Sequence, residues 1–144
     1  MINNVLEYRV GHADLLGETI AGDGELINLM DEAVGAPGAY LYTIVADGLV
    51  IALAGLWVRW AGMADVWTFP SCRVRKYPKL YYTTIKWLIR THQEKLGLHR
   101  IQTPIRVDWE MNQRWIEKLG FKWEARLQKF GVNKEDYYMY ARLY

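Results

Sequence analysis

Cysteine is nearly missing from this sequence. Cys72 stands alone, so no internal disulfide is available and a reducing compartment is expected. Histidine is scarce too. His12, His92 and His99 lie far apart, and with one Cys they give no metal-ligand spacing. Long apolar runs are absent. The longest, LVIALAGLWV at 49–58, is about half of what a helix needs to cross a bilayer, so no membrane span is expected. The opening MINNVLEYRVGHADLLGE carries charge early and lacks the apolar core of a secretory signal, which predicts a cytoplasmic location. Basic residues are missing from one half only. Residues 1–70 hold two Lys/Arg against nine Asp/Glu, a net of −7; residues 71–144 hold sixteen against seven, a net of +9; the sum is the +2 of the whole chain. Either the halves neutralise each other within one fold, or the basic half meets an anion.

What is present is a large apolar content. Of 144 residues 51% are hydrophobic, with seven Trp and ten Tyr, which suits one domain over 1–144 with a single core. Residues 12–34 read as helical or partly helical, with Leu15, Leu16, Ile20, Leu26, Ile27 and Met30 as apolar contacts, broken by Gly22 and Gly24 into two short pieces. AYLYTIVA (39–46), LVIALAGLWVRW (49–60) and MADVWTF (63–69) read as strands. Asp47-Gly48 and Ala61-Gly62 are the turns between them. Gly55, inside the middle strand, predicts a bulge or a close backbone approach.

Pro78 suits the first position of a helix. Tyr81, Ile85, Leu88, Ile89 and Leu96 then form one apolar stripe, with Lys79, Lys86 and Arg90 on another face and Gly97 as the stop. HRIQTPIRV (99–107) alternates as a strand. A helix joining it to 63–69 makes a crossover, so these two strands should be parallel. Asp108 reads as an N-cap, followed by Met111, Trp115, Ile116 and Leu119 as a buried stripe and Gly120 as the cap beyond it. FKWEARLQKF (121–130) and YYMYARLY (137–144) close the chain as a hairpin. The expected class is α/β of the α+β type, a mixed, curved central sheet with helices on both faces.

This order resembles the Gcn5-related N-acetyltransferase (GNAT) fold. The most specific likeness is NQRWIEKLGFKWEARLQKFGVNKEDYYMYARL (112–143), where Glu117-Lys118-Leu119-Gly120-Phe121 ends a helix on Gly and opens a strand with a core Phe. The resemblance implies acetyl-CoA as cofactor and a CoA thioester and an amine as partners. It implies that 63–69 and 99–107 splay apart around pantetheine, with the backbone of Trp67, Thr68 and Phe69 pairing to it. It also implies a pyrophosphate held at the start of the following helix.

Two departures from the family pattern stand out. The family loop is Gln/Arg-x-x-Gly-x-Gly/Ala; CRVRKYPKL offers Arg73 at its first position but Lys76 and Pro78 where small residues belong. Arg73, Arg75, Lys76 and Lys79 are then the candidates to hold the anion by charge, or else they form a solvated basic loop. The usual Tyr acid falls on Ile116, which cannot donate a proton, and the usual Asn falls on Trp109, one helical turn before Asn112. Asn112 is a candidate ligand contact. Asp65 is the candidate base, sharing a strand face with Trp67 and Phe69, and no acid is assigned. Tyr81, Tyr82 and Tyr138 are better read as packing groups than as acids, and Cys72 without a placed His is a poor nucleophile.

Two functions follow. One is an acetyl-CoA-dependent N-acetyltransferase. The other is a catalytically inactive GNAT-fold module that acts through a protein partner or as a homo-oligomer. Glycine-poor, basic loops also resemble a group of phage-encoded GNAT-like proteins, some tied to virion assembly, for which the location would be the virion. Nucleic-acid binding is disfavoured, since the Lys/Arg are dispersed and no recognition motif appears.

Overall fold

The computed structural model describes residues 4–20 and 27–144. The expected break at Gly22 and Gly24, and the contact at Leu26, lie outside the described residues. The strands are β1 (Val5–Glu7), β2 (Ala39–Ala46), β3 (Leu49–Trp60), β4 (Met63–Pro70), β5 (Arg100–Arg106), β6 (Lys122–Leu127) and β7 (Tyr137–Leu143). The helices are α1 (Asn28–Ala33), α2 (Pro78–Leu96) and α3 (Glu110–Lys118), with 3-10 helices at His12–Leu15 and Cys72–Lys76. One sheet holds the strands in the order β1-β2-β3-β4-β5-β7-β6. Its pairs are antiparallel except β4 with β5, which α2 joins as a crossover.

Local chemistry accounts for the turns. Asp47 (φ 48°) and Gly48 (φ 75°) are both left-handed, as a tight hairpin between right-twisted strands requires. α2 begins at Pro78 and ends at Gly97, whose φ of 60° lets the chain reverse.

The buried stripe of α2 (Tyr81, Ile85, Leu88, Ile89) and Ile116 and Leu119 of the α3 region pack into one cluster with Ala54, Leu56, Ala64 and Ile101 of the sheet. On the opposite face Leu16, Met30 and Ala33 cover Leu41, Leu53 and Phe69. Helices thus lie on both faces, and register shifts at Ile44/Val45, Val58/Trp60 and Trp123/Ala125 bend the sheet.

Three expectations are corrected. Asp108 does not cap α3: Trp109 occupies that position without a side-chain bond, and both Asp108 oxygens accept from Arg106 at 2.7 and 2.6 Å. A two-point charged bond outcompetes a single cap bond. Met111 is 70% exposed, because α3 turns only its Ile116 side to the core. The strand expected at 121–130 shortens to Lys122–Leu127, with Phe121 drawn into the core and Lys129 in a left-handed turn. Gly55 proves to be a close approach rather than a bulge. The Trp67 indole lies across it, 2.1 Å from where a Cβ would stand.

Among the described residues no ion pair joins the two charged halves. Of the six ion pairs there, Arg59–Asp65 lies in residues 1–70 and five lie in residues 71–144: Arg90–Glu94, Arg100–Glu124, Arg106–Asp108, Arg114–Glu110 and Arg126–Asp136. Among the described residues, the excess positive charge of the second half is not neutralised by contact with the first.

Candidate functional site

β4 and β5 pair for three residues only, Met63 with Arg100, Ala64 with Ile101 and Asp65 with Gln102, and then part. Antiparallel pairing fixes what β4 presents beyond that point. Ser71 donates its backbone N–H to Ile51 of β3, so in strict alternation Phe69 and Trp67 also turn their backbone groups to β3. Val66, Thr68 and Pro70 turn theirs to the other edge. Of Trp67, Thr68 and Phe69, the three backbones assigned from sequence to pantetheine, only Thr68 presents its groups toward the gap. The Trp67 and Phe69 side chains belong to the α1 face, where the Trp67 indole N–H donates to Met30 Sδ at 3.2 Å.

The far end of this edge is capped by the chain itself. Ile20 donates to the Pro70 carbonyl at 3.1 Å, and Cys72 donates to the Glu18 carbonyl at 2.8 Å. Residues 18–20 therefore run antiparallel to residues 70–72, with Thr19 bridging Ser71. Sequence reasoning missed this segment. Its only signal is the β-branched pair Thr19-Ile20 beside a run otherwise read as helical.

The loop after β4 is a 3-10 helix, not an open cradle. Ser71 caps it, its hydroxyl accepting from Arg73 N–H at 3.2 Å. Val74 N–H donates to Ser71, and Tyr77 N–H to Val74. The Arg73 guanidinium is turned inward, donating to the Leu15 and Val50 carbonyls at 2.9 Å each. Arg75, Lys76 and Lys79 are exposed and enter no ion pair among the described residues. Tyr81 N–H opens the α2 ladder on Tyr77, and Pro78 has no N–H, so Lys79 and Leu80 carry the first-turn amides without a partner in the helix. The helix dipole adds positive potential at that point.

Beside the capped edge lies a cleft of about 280 Å³, lined by Ile20, Asp108, Trp109, Glu110, Met111, Asn112 and Arg114. Asn112 is half-buried there, and its side chain hydrogen-bonds to no described residue. The Arg106 guanidinium holds the Asp108 carboxyl below the usual carboxylate range and lies over the Trp109 ring. Asp65 sits at the closed end of the strand pair instead. Arg59 Nε donates to one of its oxygens and Gln102 Nε2 to the other at 2.9 Å, and Gln102 in turn accepts from Arg100.

Ile116 is buried in the core. Tyr81 stacks on Trp115 with centroids 5.0 Å apart, and Tyr82 donates to the Lys118 carbonyl. Tyr138 lies edge-on to Trp123. Tyr140, not singled out from sequence, is buried beside Glu117, and burial with that carboxylate pushes its hydroxyl pKa up. No described helix is long and apolar enough to cross a membrane.

No protein-family model and no curated protein matches this chain. Solved structures do. A variant of the spermidine N-acetyltransferase SpeG from Vibrio cholerae superposes with a TM-score of 0.74 at 14% identity, covering 96% of this chain and 94% of that one. A protein described as an acetyltransferase superposes at 0.77 and 18%, over 96% and 81%. A GNAT-family acetyltransferase from Bacillus anthracis gives 0.72 and 12%, over 96% and 93%. At these identities the likeness shows the fold: the chain has the GNAT architecture.

Proposed function

We infer that the protein transfers an acetyl group from a pantetheine thioester, acetyl-CoA in the first instance, to an amine. One observation carries this reading: β4 and β5 part after Asp65 and Gln102, and residues 66–70 run on without β5 toward the 3-10 helix Cys72–Lys76 that leads into α2. The five residues 66–70 span ~16 Å at roughly 3.3 Å each, comparable to an extended pantetheine chain. On their open edge Val66 and Thr68 present N–H and C=O groups to such a chain, while Pro70 has no N–H and its carbonyl is taken by Ile20. The likeness to a spermidine N-acetyltransferase supports an amine as the acceptor.

The thioester supplies an activated carbonyl: the new C–N bond forms as C–S breaks, the amine gives up its proton and the thiolate gains one. The chain's part is to bind and orient. Thr68 holds the arm by its backbone, and Trp67 and Phe69 hold the strand by their side chains. Arg75, Lys76 and Lys79 answer the phosphate charge. Arg73 is left out of that role, because its guanidinium is engaged by two carbonyls. The cleft at Asn112 is the acceptor's approach; its carboxylates are already engaged, Asp108 by Arg106 and Glu110 by Arg114, and Arg106 covers the Trp109 ring, which leaves Asn112 as the polar contact for an uncharged, nucleophilic amine. We assign Asp65 to holding the closed end rather than to taking the proton, because Arg59 and Gln102 engage both its oxygens.

The fit to coenzyme A is uneven. The gap suits pantetheine. The loop does not suit a pyrophosphate in the glycine-cradle manner, since its 3-10 helix uses its own amides.

The test is calorimetric titration of acetyl-CoA, with transfer to spermidine followed by thiol release. Micromolar binding that Arg75→Ala with Lys76→Ala weakens by about tenfold is expected for lost charged bonds. No binding at millimolar donor, and no transfer, would sink the reading. It would leave the second one, a non-catalytic GNAT-fold module used for protein contacts, as in phage assembly. The buried Ile116 at the usual Tyr position favours that alternative.

A further inference from the structure

Building on the acyl-transfer reading, we propose that the preferred donor is a thioester on the phosphopantetheine arm of an acidic carrier protein, docked on the exposed cationic face of α2, rather than free acyl-CoA.

The argument begins with a count of donors. Coenzyme A brings a pyrophosphate and a further phosphate on its nucleotide; a carrier-borne arm brings one phosphodiester. Around the end of β4, the Ser71 N–H is bound to Ile51, Cys72 N–H to Glu18, Arg73 N–H to the Ser71 hydroxyl, Val74 N–H to Ser71 and Tyr77 N–H to Val74. Pro78 has none, and Tyr81 N–H begins the helix ladder. Arg75 and Lys76 lie inside the 3-10 helix, whose i→i−3 pattern takes their amides. Among the described residues the amides of Lys79 and Leu80 remain. Two adjacent amides at a helix start suit one phosphate, not a chain of two. The inward turn of Arg73 points the same way, since it removes the first-position cation of the loop from the mouth of the gap.

The second strand of the argument is surface charge. α2 has no acidic residue before Glu94, and its exposed side carries Lys79 and Lys86 after the exposed Arg75 and Lys76. Lys118 adds to it, on the segment where Tyr82 of α2 donates to the Lys118 carbonyl. None of these five enters an ion pair among the described residues, while five other cations of the same half do. Lys86 lies about 10 Å along the helix from Lys79, at 1.5 Å per residue. A ridge of this length exceeds what one phosphate needs. It matches the acidic helix face of a carrier protein, whose arm would enter the gap at Lys79. Charge of this kind chiefly raises association rate and fixes orientation.

The chemistry balances as for any thioester. The amine N–C bond forms and the C–S bond breaks; the carrier keeps its arm as a free thiol, and the amine's proton offsets the one the thiolate takes.

The experiment titrates the full-length protein with three probes. They are a carrier protein bearing an acetylated phosphopantetheine arm, the same carrier without the arm, and acetyl-CoA. Acetylpantetheine turnover is followed in parallel. The acetylated carrier is expected to bind at least about tenfold tighter than acetyl-CoA, and to weaken about tenfold between 50 and 300 mM salt. The double variant Lys86→Glu with Lys118→Glu should weaken carrier binding by a similar factor while leaving acetylpantetheine turnover unchanged. A circular-dichroism melt verifies that this variant folds. Equal carrier affinity in parent and variant, or tighter binding of acetyl-CoA than of the carrier, overturns the proposal and leaves acetyl transfer standing. Failure of all thioesters to bind or react overturns both.

Discussion

Residues 63–65 and residues 66–70 belong to one strand and share one neighbour, β3, but they differ on their other edge. The first three pair with β5, and Asp65 there ties Arg59, Gln102 and, through Gln102, Arg100 into a ladder across the sheet. The last five leave β5, and among the described residues their other edge takes a backbone bond only from Ile20, at Pro70. A strand whose second edge is satisfied contributes stability. A strand whose second edge is left open costs stability unless water or a ligand serves it. The open half is therefore the place to look for binding, and the closed half for rigidity.

The largest effect should come from confusing the two edges of the open half. Trp67→Pro removes an N–H that faces β3, and the Trp67 ring that lies across Gly55 goes with it. We expect a loss of about 3 kcal/mol or more by urea denaturation. Gly55→Ala tests the same contact from the other side. Its methyl must displace a half-buried indole already bonded to Met30, and we expect roughly 1–3 kcal/mol.

Thr68→Pro is the sharp counterpart. Its N–H faces the gap, as the position of Pro70 does, and the fold already tolerates proline on that edge. The melt should move by less than about 1 kcal/mol, while pantetheine-thioester affinity falls up to tenfold for one lost hydrogen bond. Equal destabilisation by Thr68→Pro and Trp67→Pro would mean that the two edges of residues 66–70 are not distinct.

A third effect separates α2, which delivers the loop to the open half, from the ladder of the closed half. His92 sits on the buried face of α2, with Nε2 against the Tyr42 hydroxyl at 2.7 Å and Nδ1 against the Leu88 carbonyl at 2.8 Å. Burial is the main cause lowering its pKa below 6.5. With the folded pKa depressed, the unfolded chain binds the proton first. Stability contributed by neutral His92 is thus whole above pH 6.5 and falls as pH drops below it, levelling off below the folded-state pKa. The slope is at most about 1.4 kcal/mol per pH unit for one proton. His92→Gln should flatten this part of the stability profile, measured by urea melts between pH 7 and 5.

Much of this contrast was legible beforehand. The crossover made β4 and β5 parallel, the apolar stripe of α2 named its buried face, and Asp47-Gly48 named its turn. These signals are local and periodic. The open edge was less legible. Alternation names the face a side chain takes, but which backbone edge meets β3 depends on register, and the Ser71–Ile51 bond that sets the register leaves no mark in the sequence. Sequence alone therefore does not separate Trp67 and Phe69 from Thr68. Arg73 is a similar case: a cation in a basic loop carries no sign in sequence of the Leu15 and Val50 carbonyls to which it donates. Asp108 read as a cap because the sequence does not say whether a nearby Arg will take the carboxylate first.

The smallest expected effect lies in the closed half and bears most directly on the chemistry. Asp65→Asn keeps an acceptor for Gln102 but removes the charge opposite Arg59. Arg59 is 47% exposed and Asp65 20%, so solvent screens the pair and the melt should shift by less than about 1 kcal/mol. Donor affinity should not change, because Asp65 lies before the point where the strands part. If Asp65 only braces the ladder, acetyl transfer at saturating amine should follow stability and stay within about twofold of the parent. A general base contributes at least about a hundredfold. A loss of that size with donor affinity intact would return Asp65 to the role of base and show that Arg59 lets go of it when the amine arrives.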